Sequence, residues 1–275
     1  MRFYSEEDTA SFDAVTFRFI QTHLDGHVFR IVLNRPEKRN AFTLTMAEEI
    51  AYALAYAHYS KEVRCLLLSA RGPVFCAGAD LNAFHDPASD LVNPTLPRPS
   101  ETVRLGDAFA GLLKPSIAQV EGAVLAGGFL MICGCTFVIS VPEAQYSLPE
   151  VKRGIWPMQV MASLDGLISG RKIMEMAITG RAYSAAEALE MGLITQVVTH
   201  TEIQDTAEEL AKLITSQAPL AIQEGMRAYA DLHEMPSAER QGMLQQRLNT
   251  LLLSADAKEG VRAFREKRRP EWKGE

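Results

Sequence analysis

The sequence has no excess of positive charge: 28 Lys and Arg against 34 Asp and Glu leave a formal net charge of −6. A general nucleic-acid binder needs a basic field to meet phosphates, so no nucleic-acid partner is expected. Cysteines are few, and the four present (Cys65, Cys76, Cys133 and Cys135) fall in apolar segments. None has metal-ligand spacing, so they read as buried free thiols suited to a reducing cytosol, and no metal site is expected. No uninterrupted apolar run is long enough to span a bilayer, and the opening MRFYSEEDTASFD is acidic without an apolar signal core. The expectation is a cytoplasmic protein with no membrane partner. Neither G-x-x-x-x-G-K-[ST] nor G-x-G-x-x-G occurs, which weakens any phosphate-loop reading. No Ser-His-Asp or Cys-His arrangement is readable, so nucleophilic catalysis has no independent support.

What is present is a substantial core. Of 275 residues 47% are hydrophobic and 23% charged, as for a soluble globular chain. Residues 1–14 read as a loose acidic lead-in. Runs at 17–24 and 28–33 are strand-like and meet at Asp25-Gly26, a hairpin turn pair. The polar loop 34–40 precedes a helix, for which Thr45 and Glu48 have capping-box spacing. Residues 63–69 read as a buried strand, 82–100 with four prolines as a mobile loop, 101–113 as a helix, and 116–121 and 136–141 as strands. Residues 158–178 look helical with a break near Gly170, Ser184–Glu187 is a capping box, and 194–198 is a strand. From Glu202 onward the pattern is entirely helical. Alternating strands and helices followed by a helical tail indicate an α/β architecture with an α-helical C-terminal extension.

Two small-residue turns carry the chemistry. Phe75-Cys76-Ala77-Gly78-Ala79-Asp80 and Ala126-Gly127-Gly128 each stand between an apolar strand and a helix. Small side chains let a ligand approach bare backbone N–H groups, and a helix N-terminus favours negative charge. Brought together, the two turns would hold one developing oxyanion. Glu150, after Leu148-Pro149, has the apolar neighbours Val151, Ile155 and Trp156, which would raise its carboxyl pKa if buried. Taken alone it would read as a surface glutamate paired with Lys152 or Arg153.

These residues resemble the crotonase superfamily, the enoyl-CoA hydratase/isomerase group, over roughly residues 15–270. The landmarks are Asn34-Arg35-Pro36-Glu37-Lys38-Arg39-Asn40-Ala41-Phe42, FCAGADL at 75–81, EGAVLAGG at 121–128, LPEVKRGIWP at 148–157 and TGRAYSAAEALEMGLITQVV at 179–198. The resemblance implies a spiral of ββα units over 15–201 and a helical region at 202–275 that packs as a homotrimer or hexamer. It implies an acyl-CoA thioester substrate, with no cofactor beyond the coenzyme A that the substrate carries. Carried over position by position, the N–H groups of Ala79 and Gly127 form the oxyanion hole and Glu150 is the acid/base. Ala77, Asp80, Leu81 and Asn82 would meet the coenzyme A portion, with Lys38 and Arg39 available to its phosphates.

The chain departs from the family at one position. A two-glutamate hydratase carries its other glutamate where this sequence has Leu130. One carboxylate and an oxyanion hole suffice to move a proton between two carbons, which describes a 3-enoyl to 2-enoyl-CoA isomerase. Hydration would need another acid, for which Asp80, Glu121, His85, Asp86 and Glu101 are the nearest by sequence. Decarboxylation and thioester hydrolysis use the same enolate. Phe84, Trp156 and Phe264 are candidates to shape the acyl pocket. Outside the family, the alternatives are a non-catalytic CoA-ester-binding scaffold, or RNA binding through the basic stretch 262–273.

Overall fold

In the computed structural model the chain alternates between two sheets. The structure describes the backbone of residues 1–275 and all side chains except those of Phe84, Pro87 and His233. The larger sheet contains β1 (Ile20–Asp25), β2 (Val28–Leu33), β3 (Cys65–Ala70), β5 (Ser116–Val120), β7 (Phe137–Ser140) and β10 (Gln196–Val197), in that order. Only β1 is antiparallel to its neighbour, through the Asp25-Gly26 hairpin; the rest run parallel. The smaller sheet contains β4 (Val74–Cys76), β6 (Ala123–Leu125), β8 (Gln145–Ser147) and β9 (Tyr183–Ser184). Thus β3, β5 and β7 of the large sheet each lead directly into β4, β6 and β8 of the small one. A helix then returns the chain, and repetition of this ββα step builds a spiral. Parallel strands covered on both faces call for continuous apolar runs; Leu66, Leu68, Ile117, Val124 and Tyr146 are completely buried.

The helices are α1 (Leu44–Tyr59), α2 (Leu81–His85), α3 (Leu105–Ala110), α4 (Phe129–Ile132), α5 (Met158–Leu164), α6 (Gly170–Thr179) and α7 (Ala185–Glu190), then α8 (Ile203–Thr215), α9 (Pro219–Glu234), α10 (Ser237–Leu251) and α11 (Ala255–Glu266). The Ser184–Glu187 capping box is formed in full. The cap of α1 is Thr43, whose hydroxyl accepts from the Met46 N–H, and not Thr45. The Thr45 N–H donates instead to Asp90.

Other expectations are corrected. The N-terminal segment is not loose: residues Glu7–Ala14 form 3-10 turns, and Phe3, Tyr4 and Phe12 are buried. Phe12 stacks on Tyr56 with ring centroids 3.9 Å apart, while Tyr52 donates to the Asp8 carbonyl. The acidic residues stay outside while the interspersed aromatics enter the core. The 82–100 segment is pinned at Asp90 and at buried Asn93, which donates to the carboxylate of Glu49. The helix expected at 101–113 is shorter, Leu105–Ala110. The last residues are not helical: the Lys273 and Gly274 N–H groups donate to Asp256 in the first turn of α11.

Candidate active site

Parallel strands place loops of one kind at one edge. The segments that leave the carboxyl ends of β2, β3 and β5 all lie on the same side, where open α/β sheets bind ligands. The Asn40 side chain ties two of them together, its amide donating to the carbonyls of Arg71 and Val74. Phe42 forms a parallel bridge with Ala79: its N–H donates to the Gly78 carbonyl and its carbonyl accepts from the Asp80 N–H, both at 2.9 Å. In a parallel bridge the middle residue turns its own N–H to the opposite side, so the Ala79 amide faces away from Phe42.

The second turn meets the first at van der Waals contact. A methyl group on Gly127 would come within 3.5 Å of the Ala79 nitrogen and 2.9 Å of the Phe42 ring. Gly78 lies at φ +92°, and a side chain there would strike the Ala126 Cβ at 2.7 Å. Ala126 itself is left-handed at φ +50°, an uncommon conformation for a residue with a Cβ. It swings the chain from β6 into the 3-10 turn Ala126–Gly128 and then α4. The Gly127 amide is therefore in a first helical turn, where N–H groups have no acceptor within the helix.

Ala79 and Gly127 both line a cleft of about 490 Å³, mainly apolar, that also contains Ala77, Leu81, Leu125, Leu130, Arg39, Arg153 and Gln159. Trp156, Met158 and Val160 also line it, with the Trp156 indole N–H directed at the Met161 sulfur. Glu150 lines the same cleft from the 3-10 segment Pro149–Arg153 and is only 7% exposed. One of its carboxylate oxygens, Oε2, is buried without a hydrogen-bond partner. Burial raises the Glu150 pKa above the usual glutamate range, against a smaller downward pull from its own amide and from Arg153. No ion pair forms to Lys152 or Arg153 among the described residues, so the surface-pair reading fails. A buried carboxylate with a vacant lone pair in an apolar cleft suits proton transfer to and from carbon.

The cleft gathers Ala77, Ala79, Leu81, Gly127, Leu130, Glu150 and Arg39, but not Lys38, Asp80 or Asn82. Asp80 caps α2 and accepts from Arg35 at 2.7 Å. Burial raises its carboxyl pKa, but the hydrogen bond and charge of Arg35 together with the Ala83 and Asn82 amides outweigh this, and the net shift is downward. Among the described residues lining the cleft, Glu150 is the only carboxylate. Asp80, Glu121, His85, Asp86 and Glu101 all lie outside the lining; Glu121 accepts from Gln119, and Glu101 from Arg2. Leu130, 4% exposed, lines the same cleft as Glu150. Cys76 is no nucleophile: it lies under the turn donating to the Asn40 carbonyl, and burial lifts its thiol to about 12. Trp156 lines the cleft whereas Phe264 does not, being 85% exposed; the Phe84 side chain lies outside the described residues. Sequence reasoning missed Phe42 and Gln159. The bridge that seats Phe42 under Gly127 involves no side-chain motif, so only the spacing of its loop could have hinted at it.

Fold and site together define an acyl-CoA enzyme of crotonase fold. The enoyl-CoA hydratase/isomerase family profile matches residues 24–275, and the chain belongs to that family. It is 33% identical over 257 residues to the mevalonyl-coenzyme A hydratase sidH of Aspergillus fumigatus, covering 90% of this chain and 92% of that protein. It is 36% identical over 249 residues to the enoyl-CoA hydratase EchA19 of Mycobacterium tuberculosis, covering 89% and 92%. The crystal structure of an enoyl-CoA hydratase/isomerase from Mycobacterium paratuberculosis superposes with a TM-score of 0.83 at 28% identity, covering 94% of this chain and all of that one. No helix among the described residues is long and apolar enough to cross a membrane.

Proposed function

We propose that the protein acts on an acyl-CoA thioester through an enolate, with the Ala79 and Gly127 amides as oxyanion hole and Glu150 as the single acid/base. Removing a proton beside the thioester puts negative charge on its carbonyl oxygen. Two amides fixed beforehand stabilise that oxygen without reorganising, and one such donor is typically worth about 3–4 kcal/mol. The observation that carries the reading is the unpartnered, buried Glu150 oxygen in the same cleft as both amides. No cofactor besides the substrate's own coenzyme A is required. Arg39, Ala77 and Leu81 are the cleft residues nearest the expected coenzyme A path, with Lys38, Asp80 and Asn82 proposed beyond its rim.

A lone carboxylate in a cleft whose lining has Leu130 where a second glutamate would stand best suits migration of a double bond between the 3,4 and 2,3 positions, since Glu150 takes and returns one proton. Hydration is a second reading, favoured by the names of the two relatives above. Mass analysis of 2-enoyl- and 3-enoyl-CoA esters incubated with the protein in heavy water separates the two. Bond migration with deuterium exchange supports isomerisation; addition of a whole water supports hydration; no change with any ester overturns both. Exposed apolar residues on α9 to α11, among them Tyr229, Leu248 and Val261, support a trimeric or hexameric assembly of a cytoplasmic enzyme.

A further inference from the structure

A second cavity, of about 350 Å³, shares no lining residue with the cleft and lies at the opposite edge of the large sheet. It is enclosed by the end of α1, the segments entering β3 and β5, and the junction of α8 with α9. Five cationic side chains line it (Lys61, Arg64, Lys114, Arg227 and Lys273), against one carboxylate, Glu6. Lys114 is 8% exposed, and its ammonium donates to the Ser60 carbonyl. Among the described residues neither Lys114 nor Lys61, Arg64 or Lys273 has an ion-pair partner, and only Arg227 is offset, by Glu224 at 2.6 Å. A buried ammonium without a counter-charge is costly, and an anion seated beside it would remove that cost.

We infer that this cavity binds a phosphate-bearing small molecule. Several cations converging on one space suit a doubly charged oxyanion better than a single carboxylate. The space exceeds the needs of one ion and reaches the size of small-molecule sites. Ile214 and Leu220 give it an apolar wall for an organic body. Burial lowers the Lys114 pKa to about 8, so the ammonium is still mostly charged at neutral pH. Burial, and then the N-terminal ammonium, Lys114 and Arg227, hold His58 near 4, so that ring stays neutral while the surrounding cations remain. The inference does not depend on the reaction run in the cleft.

Calorimetric titration of the full chain with inorganic phosphate and with phenyl phosphate, at fixed ionic strength in chloride, tests it. Saturable binding of one phosphate per chain is expected. Lys114→Met should weaken it about tenfold or more, the usual cost of losing a charge-assisted contact. Should that variant fail to fold, Lys61→Ser with Lys273→Ser removes two cations from the rim and should also weaken binding. Tighter binding of phenyl phosphate identifies an organic phosphate that uses the apolar wall, and equal affinity identifies free phosphate; either supports the site. Absence of saturable binding, or binding that survives the substitutions, overturns it.

Discussion

Gly78 and Gly127 face one another so closely that a Cβ on Gly78 would lie 3.1 Å from the Gly127 nitrogen. That contact brings the two turns together and sets the separation of the Ala79 and Gly127 amides. Its tightness makes the second glycine a sensitive probe. In Gly127→Ala the new methyl meets the Phe42 ring at 2.9 Å, so either the ring or the amide must shift. The expected outcome is a fall in kcat of about 10²–10³ with a much smaller change in KM, measured by steady-state kinetics on enoyl-CoA esters. Unchanged kcat would remove the Gly127 amide from the oxyanion hole.

Glu150→Gln keeps the shape of the side chain but cannot exchange a proton at the substrate carbon. Turnover should fall by about 10²–10⁴ while the affinity for a saturated acyl-CoA is retained. Stability should move the other way. The carboxyl pKa is raised in the folded state, so the native protein holds this proton more tightly than the unfolded chain does. The charged carboxylate therefore destabilises the native state, and wild-type stability declines as pH rises from the ordinary glutamate range through the raised native value. Glu150→Gln should raise Tm at neutral pH, with the gain vanishing below the ordinary carboxyl range. A variant less stable than wild type at pH 7 would contradict the burial account.

The same raised pKa predicts the pH dependence of the wild-type reaction. The base form of Glu150 grows in as pH rises, so kcat/KM should climb with an apparent pKa above that of a free glutamate. The carboxylate is the only one lining the cleft among the described residues, so one acidic ionisation should suffice to fit that limb. A pH-independent rate across this range would remove Glu150 from the rate-determining step.

Leu130→Glu adds a second carboxylate to the lining of the cleft that holds Glu150. Two carboxylates can orient one water between them, so water addition to a 2-enoyl-CoA should rise, read by mass and by loss of the conjugated thioester absorbance. Stability should fall by about 1–3 kcal/mol, because a polar group replaces buried Leu130. A folded variant that adds no water would show that more than this leucine keeps water from the site.

Arg35→Met tests what holds the first turn in place. The guanidinium donates to both the Ala41 carbonyl and Asp80, each at 2.7 Å, and both partners of the ion pair are largely buried. Removing the cation leaves Asp80 charged in that setting, for which a loss of about 3 kcal/mol is expected by chemical denaturation. The native Asp80 pKa is depressed, so the pair stabilises above the ordinary aspartate range and fades as pH falls through the lowered native value. The gap between wild type and Arg35→Met should accordingly narrow in acid.

What the sequence settled by itself was local or carried by motif. The capping box at Ser184, the glycine turns, the α/β alternation and the carboxylate after Pro149 depend on neighbours within a few residues, and all are where the sequence put them. The small sheet escaped detection because β4, β6, β8 and β9 are two or three residues long, too short for a period to register. The seating of Tyr4 and Phe12 escaped it because the acidic composition of the segment hid aromatics whose partners, Tyr52 and Tyr56, lie some forty residues away. Only the tertiary structure could decide that Glu150 is buried and unpaired, that Asp80 belongs to Arg35, and that Phe42 floors the second turn. Those are contacts between residues distant in sequence, fixed by which strand lies beside which. That order is set by burying the whole core at once, and no single segment encodes it.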